Sequence, residues 1–224
     1  MTLSGSFVNN VAVEYVGANN GALYLDGAVS GSGTWNITAA SAGSDQWKNR
    51  LSIRSNSSTS TTTSGQFTVT SYGNLWFEGS YVNSTSAIYL NGANTRLRFY
   101  GLSNPTIRTG ILTGTGTVDF SDAGGGSAIT LSVGNDNGTG TFSGLISNSN
   151  GSKDLNVTKA GTGTWTVSGS NTYTGLTTIS DGTLKLGATG DATNTPLGTT
   201  AAGTVVSTNG TLDLAGYTLG TAEY

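Results

Sequence analysis

Asp119 and Asp122, in the stretch VDFSDAGGG, form the closest pair among the twelve acidic residues of the chain. Two neighbouring carboxylates could act as general acid and base on a sugar polymer, or they could bind Ca²⁺. Such a site needs several carboxylates on one face, and the remaining acids are spread along the sequence. We interpret the pair as a strand-end turn in which Asp122 accepts backbone N–H bonds. No catalytic residue, metal or cofactor is expected.

The absence of two residue types narrows the chemistry further. The chain contains no histidine and no cysteine. Ser-His-Asp and Cys-His catalysis, imidazole and thiolate metal ligation, and disulfide scaffolds are therefore unavailable.

Aromatic side chains are the candidates for binding rather than catalysis. Tyr24, Trp76 and Tyr89 alternate with apolar neighbours and are expected to point outward, where a row of exposed rings could stack on sugars. Trp35 and Trp165 are in phase with the apolar positions and are expected in the core. The alternative is that the outward rings are ordinary strand aromatics with no ligand.

Charge argues against nucleic acid as a partner. The net charge is −3, and only 9% of the residues are charged. Two loose basic groups, Lys48, Arg50 and Arg54 and then Arg96, Arg98 and Arg108, are too sparse for a phosphate track. We expect them to be solvated positions on a strand face.

The elements that would carry these residues are short β-strands. Apolar residues occur at every second position, and Gly, Asn, Ser or Asp follows each run. No window has the spacing of an amphipathic helix. The predicted inward pairs are Leu23/Leu25, Trp35/Ile37, Leu51/Ile53, Phe67/Val69, Leu75/Phe77, Ile88/Leu90, Leu97/Phe99, Val118/Phe120, Ile129/Leu131, Leu155/Val157, Trp165/Val167, Leu184/Leu186 and Leu212/Leu214.

Internal repetition distinguishes a solenoid from a sandwich. The phrases GTGTVDF, GTGTFSG and GTGTWTV begin at Gly114, Gly138 and Gly161, and DGTLKLG is followed by NGTLDLAG. Spacings in the twenties match one turn of a parallel β-solenoid, in which each turn buries its apolar stripe against its neighbours. At roughly 22 residues per turn, one all-β solenoid segment over residues 1–224 would have about ten rungs and be about 50 Å long.

The segment 155–187, LNVTKAGTGTWTVSGSNTYTGLTTISDGTLKLG, resembles the passenger-associated β-strand repeat of bacterial autotransporters. Trp165 stands where that repeat usually has Leu. The positions that match are Lys159, Gly161, Gly163, Thr164, Val167, Gly169, Asn171, Tyr173, Gly175, Thr177, Ile179, Gly182 and Leu184.

This resemblance implies a right-handed, single-stranded parallel β-helix that is secreted or displayed on the bacterial outer membrane. It also implies a role in passenger folding and export, beside a C-terminal membrane barrel or anchor that this sequence lacks. Both ends of the chain look truncated.

The leading expectation is a non-catalytic, monomeric stalk or display scaffold. A glycan- or host-surface-binding adhesin module and an inactive relative of polysaccharide-active β-helix enzymes remain as alternatives.

Overall fold

A computed structural model describes residues 1–9, 13–17, 21–39, 49–54, 60–78, 81–101, 106–121, 128–148, 153–199 and 201–219. These residues form strands joined by turns, and no helix occurs among them. In chain order the strands are β1 (Thr2–Ser4), β2 (Phe7–Val8), β3 (Val13–Gly17), β4 (Ala22–Asp26), β5 (Val29–Gly31), β6 (Thr34–Ala39), β7 (Arg50–Arg54), β8 (Ser60–Thr63), β9 (Gln66–Thr70), β10 (Asn74–Glu78), β11 (Tyr81–Val82), β12 (Ala87–Asn91), β13 (Arg96–Tyr100), β14 (Thr106–Arg108), β15 (Leu112–Gly114), β16 (Thr117–Ser121), β17 (Ile129–Val133), β18 (Gly140–Phe142), β19 (Leu145–Ser147), β20 (Leu155–Lys159), β21 (Thr164–Val167), β22 (Thr177–Leu186), β23 (Asn194–Thr195), β24 (Gly198–Thr199) and β25 (Thr204–Asp213).

From β4 to β21 each strand stacks on the strand three places earlier in the chain, so the chain winds around three faces. The first face is the seven-stranded sheet β1-β4-β7-β10-β13-β16-β19. The second face begins as the sheet β2-β5-β8-β11 and continues through β14, β17 and β20 into the first half of β22. The third face runs from β3 through β21 into the second half of β22, and β25 pairs along both halves of β22. The predicted all-β parallel solenoid is confirmed.

The described residues form seven complete turns, fewer than the expected ten. On the first face, Leu75 pairs with Leu97 after 22 residues, whereas Thr117 pairs with Leu145 only after 28. The corner loops therefore vary in length. Because some solenoid turns use more than 22 residues, the chain forms fewer turns than expected. The long strands β22 and β25 then add two layers to the second and third faces.

The core consists of columns of like side chains along the solenoid axis. Rings of Phe77, Phe99 and Phe120 stack on successive turns with centroids 5.7 and 4.8 Å apart. Phe67 of the third face meets Phe77 edge-on across the interior at 5.9 Å. Of the thirteen predicted inward pairs, only Leu23, Leu212 and Leu214 are not buried. The predicted inward placement of Trp35 and Trp165 is confirmed.

An antiparallel hairpin ends the parallel ladder on the first face. Strands β23 and β24 pair with each other, and Thr195 bridges Asn171 in antiparallel sense. Beyond this point, among the strands that the structure describes, the parallel stacking continues on the other two faces alone, through β25. Among the described residues there is no helix long and apolar enough to span a membrane.

Candidate functional site

The motif residues at 155–187 lie where the last complete turn passes into the long strand β22. Lys159 ends β20, and its side chain is 0% exposed. Its Nζ donates hydrogen bonds to the carbonyl oxygens of Ala160 and Gly161, both at 2.7 Å, and of Asp181 at 3.3 Å. Because Asp181 belongs to the next turn, the ammonium group joins two turns at one corner. Burial lowers the pKa of Lys159, and the carboxylates of Asp181 and Asp136 partly oppose that effect.

Asn171 joins three layers of the solenoid. Its side chain is fully buried, its Oδ1 accepts the N–H of Ile146 at 2.8 Å, and its Nδ2 donates to the carbonyl of Pro196 at 2.7 Å. Ile146 belongs to the preceding turn, and Pro196 lies in the hairpin that follows. An amide fits because one end must accept and the other must donate.

Tyr173 and Thr177 form a second buried polar link. The hydroxyl groups of Tyr173 and Thr177 lie 2.7 Å apart, and Thr177 Oγ1 donates to the carbonyl of Leu197 at 2.9 Å. The ring of Tyr173 packs against Gly198, where a Cβ would lie 2.6 Å from the Tyr173 Cε2 atom. The hairpin is thus fixed to the turn below it.

The motif glycines make room for the backbone of the preceding turn. A Cβ on Gly169 would lie 1.8 Å from the carbonyl oxygen of Gly144, and one on Gly163 would lie 2.0 Å from that of Gly138. These distances exclude any side chain. The same close approach to backbone carbonyl oxygens occurs at Gly161, Gly175 and Gly182.

Trp165 is buried in the core, at the position where the resemblance led us to expect Leu. It lies beside Gly140 in the ladder, and its indole N–H reaches the carbonyl of Leu112, 2.8 Å away on the turn beyond Gly140. Because Gly140 has no side chain, the indole ring of Trp165 can extend past it to Leu112. The hydrogen bond satisfies the buried indole N–H.

Residues 157–186 match the family model of the passenger-associated-transport-repeat. The match lies within the predicted segment 155–187, so the predicted repeat is confirmed. It extends over this segment only. No curated protein and no solved structure matches the chain. The passenger-associated repeat and the β-solenoid together fit a segment of an autotransporter passenger.

A second cluster, far from the passenger-associated repeat in sequence, covers the outer side of the first face. We call it the charged patch. It comprises Asp26, Arg50, Arg54, Glu78, Arg96, Arg98 and Asp119, on the consecutive strands β4, β7, β10, β13 and β16. It therefore contains four of the five arginines of the chain. The arginines of the two basic groups were expected to be solvated, but Arg50 and Arg98 are buried. Arg108 lies on the second face, outside the patch, and Lys48 lies outside the described residues.

Trp76 lies between two arginines of the charged patch. The guanidinium carbons of Arg50 and Arg98 are 4.5 and 4.8 Å from its ring centroid. Trp76 points away from the core, but it is 1% exposed. The expectation that Trp76 is an exposed aromatic is wrong, because arginines from the two neighbouring turns cover its ring.

Asp119 is held by two arginines and is not placed for acid–base chemistry. Its oxygens accept bonds from Arg98 Nε at 2.5 Å and Nη2 at 2.9 Å, and Arg96 Nη1 lies 2.8 Å away. Arg98 and Asp119 are both buried. Asp122 lies outside the described residues. Within the part of the chain that the structure describes, no three acidic side chains are grouped in a way that could hold a metal.

The other two candidate aromatics do not join Trp76 in an exposed row. Tyr24 is half-buried, and Arg54 and Arg50 lie 3.7 and 5.0 Å from its ring centroid. Tyr89 lies on the third face, half-buried, in an outward column between Thr68 and Thr113. The sequence did contain a signal for the charged patch, because its residues alternate with inward apolar residues and so point outward. That signal was not enough to predict the patch, since its residues become neighbours only through the register between turns of unequal length.

Proposed function

We propose that this chain is a non-catalytic structural segment of a secreted or surface-displayed bacterial passenger protein. In this role it is a stalk that displays or spaces other regions outside the cell, and its passenger-associated repeat supports folding and export. The observation that carries the proposal is the family match together with the use of the motif side chains. The side chains of Lys159 and Asn171 form hydrogen bonds between turns, and Tyr173 binds Thr177, whose hydroxyl reaches the following hairpin, which suits a mechanical role.

The charged patch supports the same proposal. Its carboxylates are already bound by arginines, and its arginines cover the aromatic rings that a sugar would need. A face arranged in this way stabilises stacked turns. A glycan-binding module remains the alternative, with the half-buried Tyr89, which lies between Thr68 and Thr113 in an outward column, as the ring that would contact a sugar.

The proposal can be tested by display. The chain is placed between a secretion signal with an epitope and an autotransporter barrel, and surface epitope is measured on intact bacteria. Asn171→Ala should lower display several-fold, because unstable passengers are degraded. Ser170→Ala, at the exposed neighbouring residue, should display like the wild type. Equal display of all three proteins would overturn the proposed role of the repeat.

A glycan array separates the stalk from the alternative. A stalk should bind no glycan. Binding that is lost in Tyr89→Ala and retained in Thr68→Ala, its neighbour in the column, would favour the adhesin module.

A further inference from the structure

The turn between β17 and β18 places an exposed asparagine directly before a glycine. It has the sequence GNDNG, residues 134–138, and the N–H of Asn137 donates to the carbonyl oxygen of Gly134 at 3.0 Å. Asn137 has a φ of +61° and is exposed to solvent. Because Gly138 has no side chain, nothing of its own shields its N–H group.

Asp136 holds that N–H group. The N–H of Gly138 donates to Asp136 Oδ1, 2.9 Å away. A carboxylate that already accepts this hydrogen bond is within reach to take the proton as a general base. Removal of the proton makes the Gly138 nitrogen a nucleophile next to the side-chain amide of Asn137.

Thr162 holds the other end of the same amide. Its backbone N–H donates to Asn137 Oδ1 at 3.0 Å. If a nucleophile attacks the side-chain carbonyl carbon Cγ, negative charge develops on Oδ1. A fixed backbone N–H at that oxygen stabilises the charge. A base and an N–H donor therefore lie at the two atoms between which a ring closure would shift charge.

We propose that Asn137 is a site of self-catalysed deamidation. Asp136 takes the proton from the Gly138 nitrogen, and the nitrogen attacks Asn137 Cγ to form a five-membered succinimide. Asp136 then returns the proton to the side-chain nitrogen, which leaves as ammonia. Water opens the ring at one of its two carbonyl carbons. Opening at Cγ gives aspartate, opening at the main-chain carbon gives isoaspartate, and no other co-reactant is needed.

The modification acts where this turn contacts the passenger-associated repeat. A Cβ on Gly163 would lie 2.6 Å from the main-chain oxygen of Asn137, so the two backbones are in close contact there. Isoaspartate lengthens the main chain by a methylene group, and this oxygen then loses its place against Gly163. Aspartate keeps the original main chain. The isoaspartate form should therefore be the less stable of the two products.

Asn91 is the matched control for reactivity. It is also exposed and precedes a glycine, but the N–H of Gly92 donates to the carbonyl oxygen of Leu90 at 3.0 Å. A neutral carbonyl oxygen does not act as a base. The whole chain is aged at neutral pH in water labelled with heavy oxygen, and peptide mapping by mass spectrometry follows both sites. Asn137 should react at least about tenfold faster than Asn91, and its products should contain the labelled oxygen.

Two comparisons separate the folded geometry from the Asn-Gly sequence itself. Asp136→Asn keeps an acceptor for the N–H of Gly138 but removes the base. It should slow the reaction at Asn137 at least about tenfold and leave Asn91 unchanged. Circular dichroism checks that the variant is folded. In the urea-unfolded chain the rate at Asn137 should fall to that at Asn91.

Three results would overturn the proposed site: equal rates at Asn137 and Asn91 in the folded chain, an unchanged rate in Asp136→Asn, or a rate at Asn137 that unfolding does not lower. The structural effect has its own test. The isoaspartate form, separated by ion exchange, should unfold at a lower urea concentration than Asn137→Asp, which carries the same charge on an ordinary main chain. Equal unfolding midpoints would overturn the proposed effect on the repeat.

Discussion

Lys159 shows how a charged residue can serve as a structural link between turns. Three backbone carbonyl oxygens surround its ammonium group, and no solvent reaches it. Carbonyl oxygens at a corner between parallel strands lack ladder partners, and a long side chain with three donors can satisfy them together. The passenger-associated repeat thus uses its lysine as a cap for the corner.

The buried position of Lys159 makes stability depend on pH with a defined sign. Burial lowers its native pKa below 10.5, so between the two values the unfolded chain binds more protons than the native one. Stability from this group therefore rises with pH across that window. The stability difference between wild type and Lys159→Met, from urea unfolding, should grow as pH increases toward 10.5.

Comparing the wild type with Lys159→Met also cancels the effect of a second group, Tyr15, that titrates at high pH. Burial raises the pKa of Tyr15 above 10.0, so the native state keeps that proton longer and loses stability as pH rises. Both proteins carry Tyr15, so its effect cancels in the difference. A difference that shrinks with pH would contradict the account.

At the scale of elements, the corners depend on glycine columns. Gly116, Gly144 and Gly169 follow one another on successive turns, and each carbonyl oxygen lies where the next residue would have its Cβ. The turns can approach to the ladder distance at these corners because no side chain intervenes.

Gly169→Ala should therefore destabilise the protein by at least about 3 kcal/mol, since a backbone atom must move. Gly101→Ala is the matched control. Gly101 has a φ of +61° with nothing near its Cβ position, so its substitution tests conformational strain alone, about 1–2 kcal/mol. Urea unfolding measures both. Equal losses would show that the close approach at Gly169 is unimportant.

The charged patch predicts an asymmetric pair of substitutions. Asp119→Asn leaves Arg98 buried without its carboxylate and should cost about 3–5 kcal/mol. Arg98→Met should cost clearly less, because Asp119 keeps Arg96 as a partner. Thermal and urea unfolding of both variants measure the two losses of stability. A larger loss in Arg98→Met would contradict the view that Arg96 is enough to hold Asp119.

The sequence predicted which side chains of each strand point into the core, but it did not predict the surroundings of many side chains that point outward. Alternation places Leu51 and Ile53 in the core regardless of which turns are neighbours. Trp76 is different, because its burial depends on Arg50 and Arg98 from the turns on either side. Which residues become neighbours depends on turn lengths that vary by several residues, and the period-2 pattern carries no information about them.

The passenger-associated repeat was predictable as a motif, but its geometry was not. The spacing of Gly161, Gly163 and Gly169 indicated corners. The partners of Asn171 could not be predicted, because Ile146 and Pro196 are each 25 residues from it along the chain.

At the scale of the whole molecule, the chain is a three-faced rod whose turns stack in register. Charge is concentrated on the first face, and threonines occupy much of the outward side of the third. The central claim is that residues far apart in sequence lie in straight columns, one turn after another. One such column contains Glu14, Asn36, Thr68, Tyr89, Thr113, Thr141 and Thr166.

Pulsed electron–electron double resonance between pairs of spin labels on this column tests this stacking most directly. Because the chain has no native cysteine, labels attach only to cysteines that are introduced. Spin labels at Thr166 paired with Thr68, Asn36 or Glu14 span four, five and six turns, so distances should increase by about 4.8 Å per turn, from about 19 to about 29 Å. Dilution with unlabelled protein suppresses contacts between molecules. Distances that fail to increase in even steps would contradict the stacked solenoid.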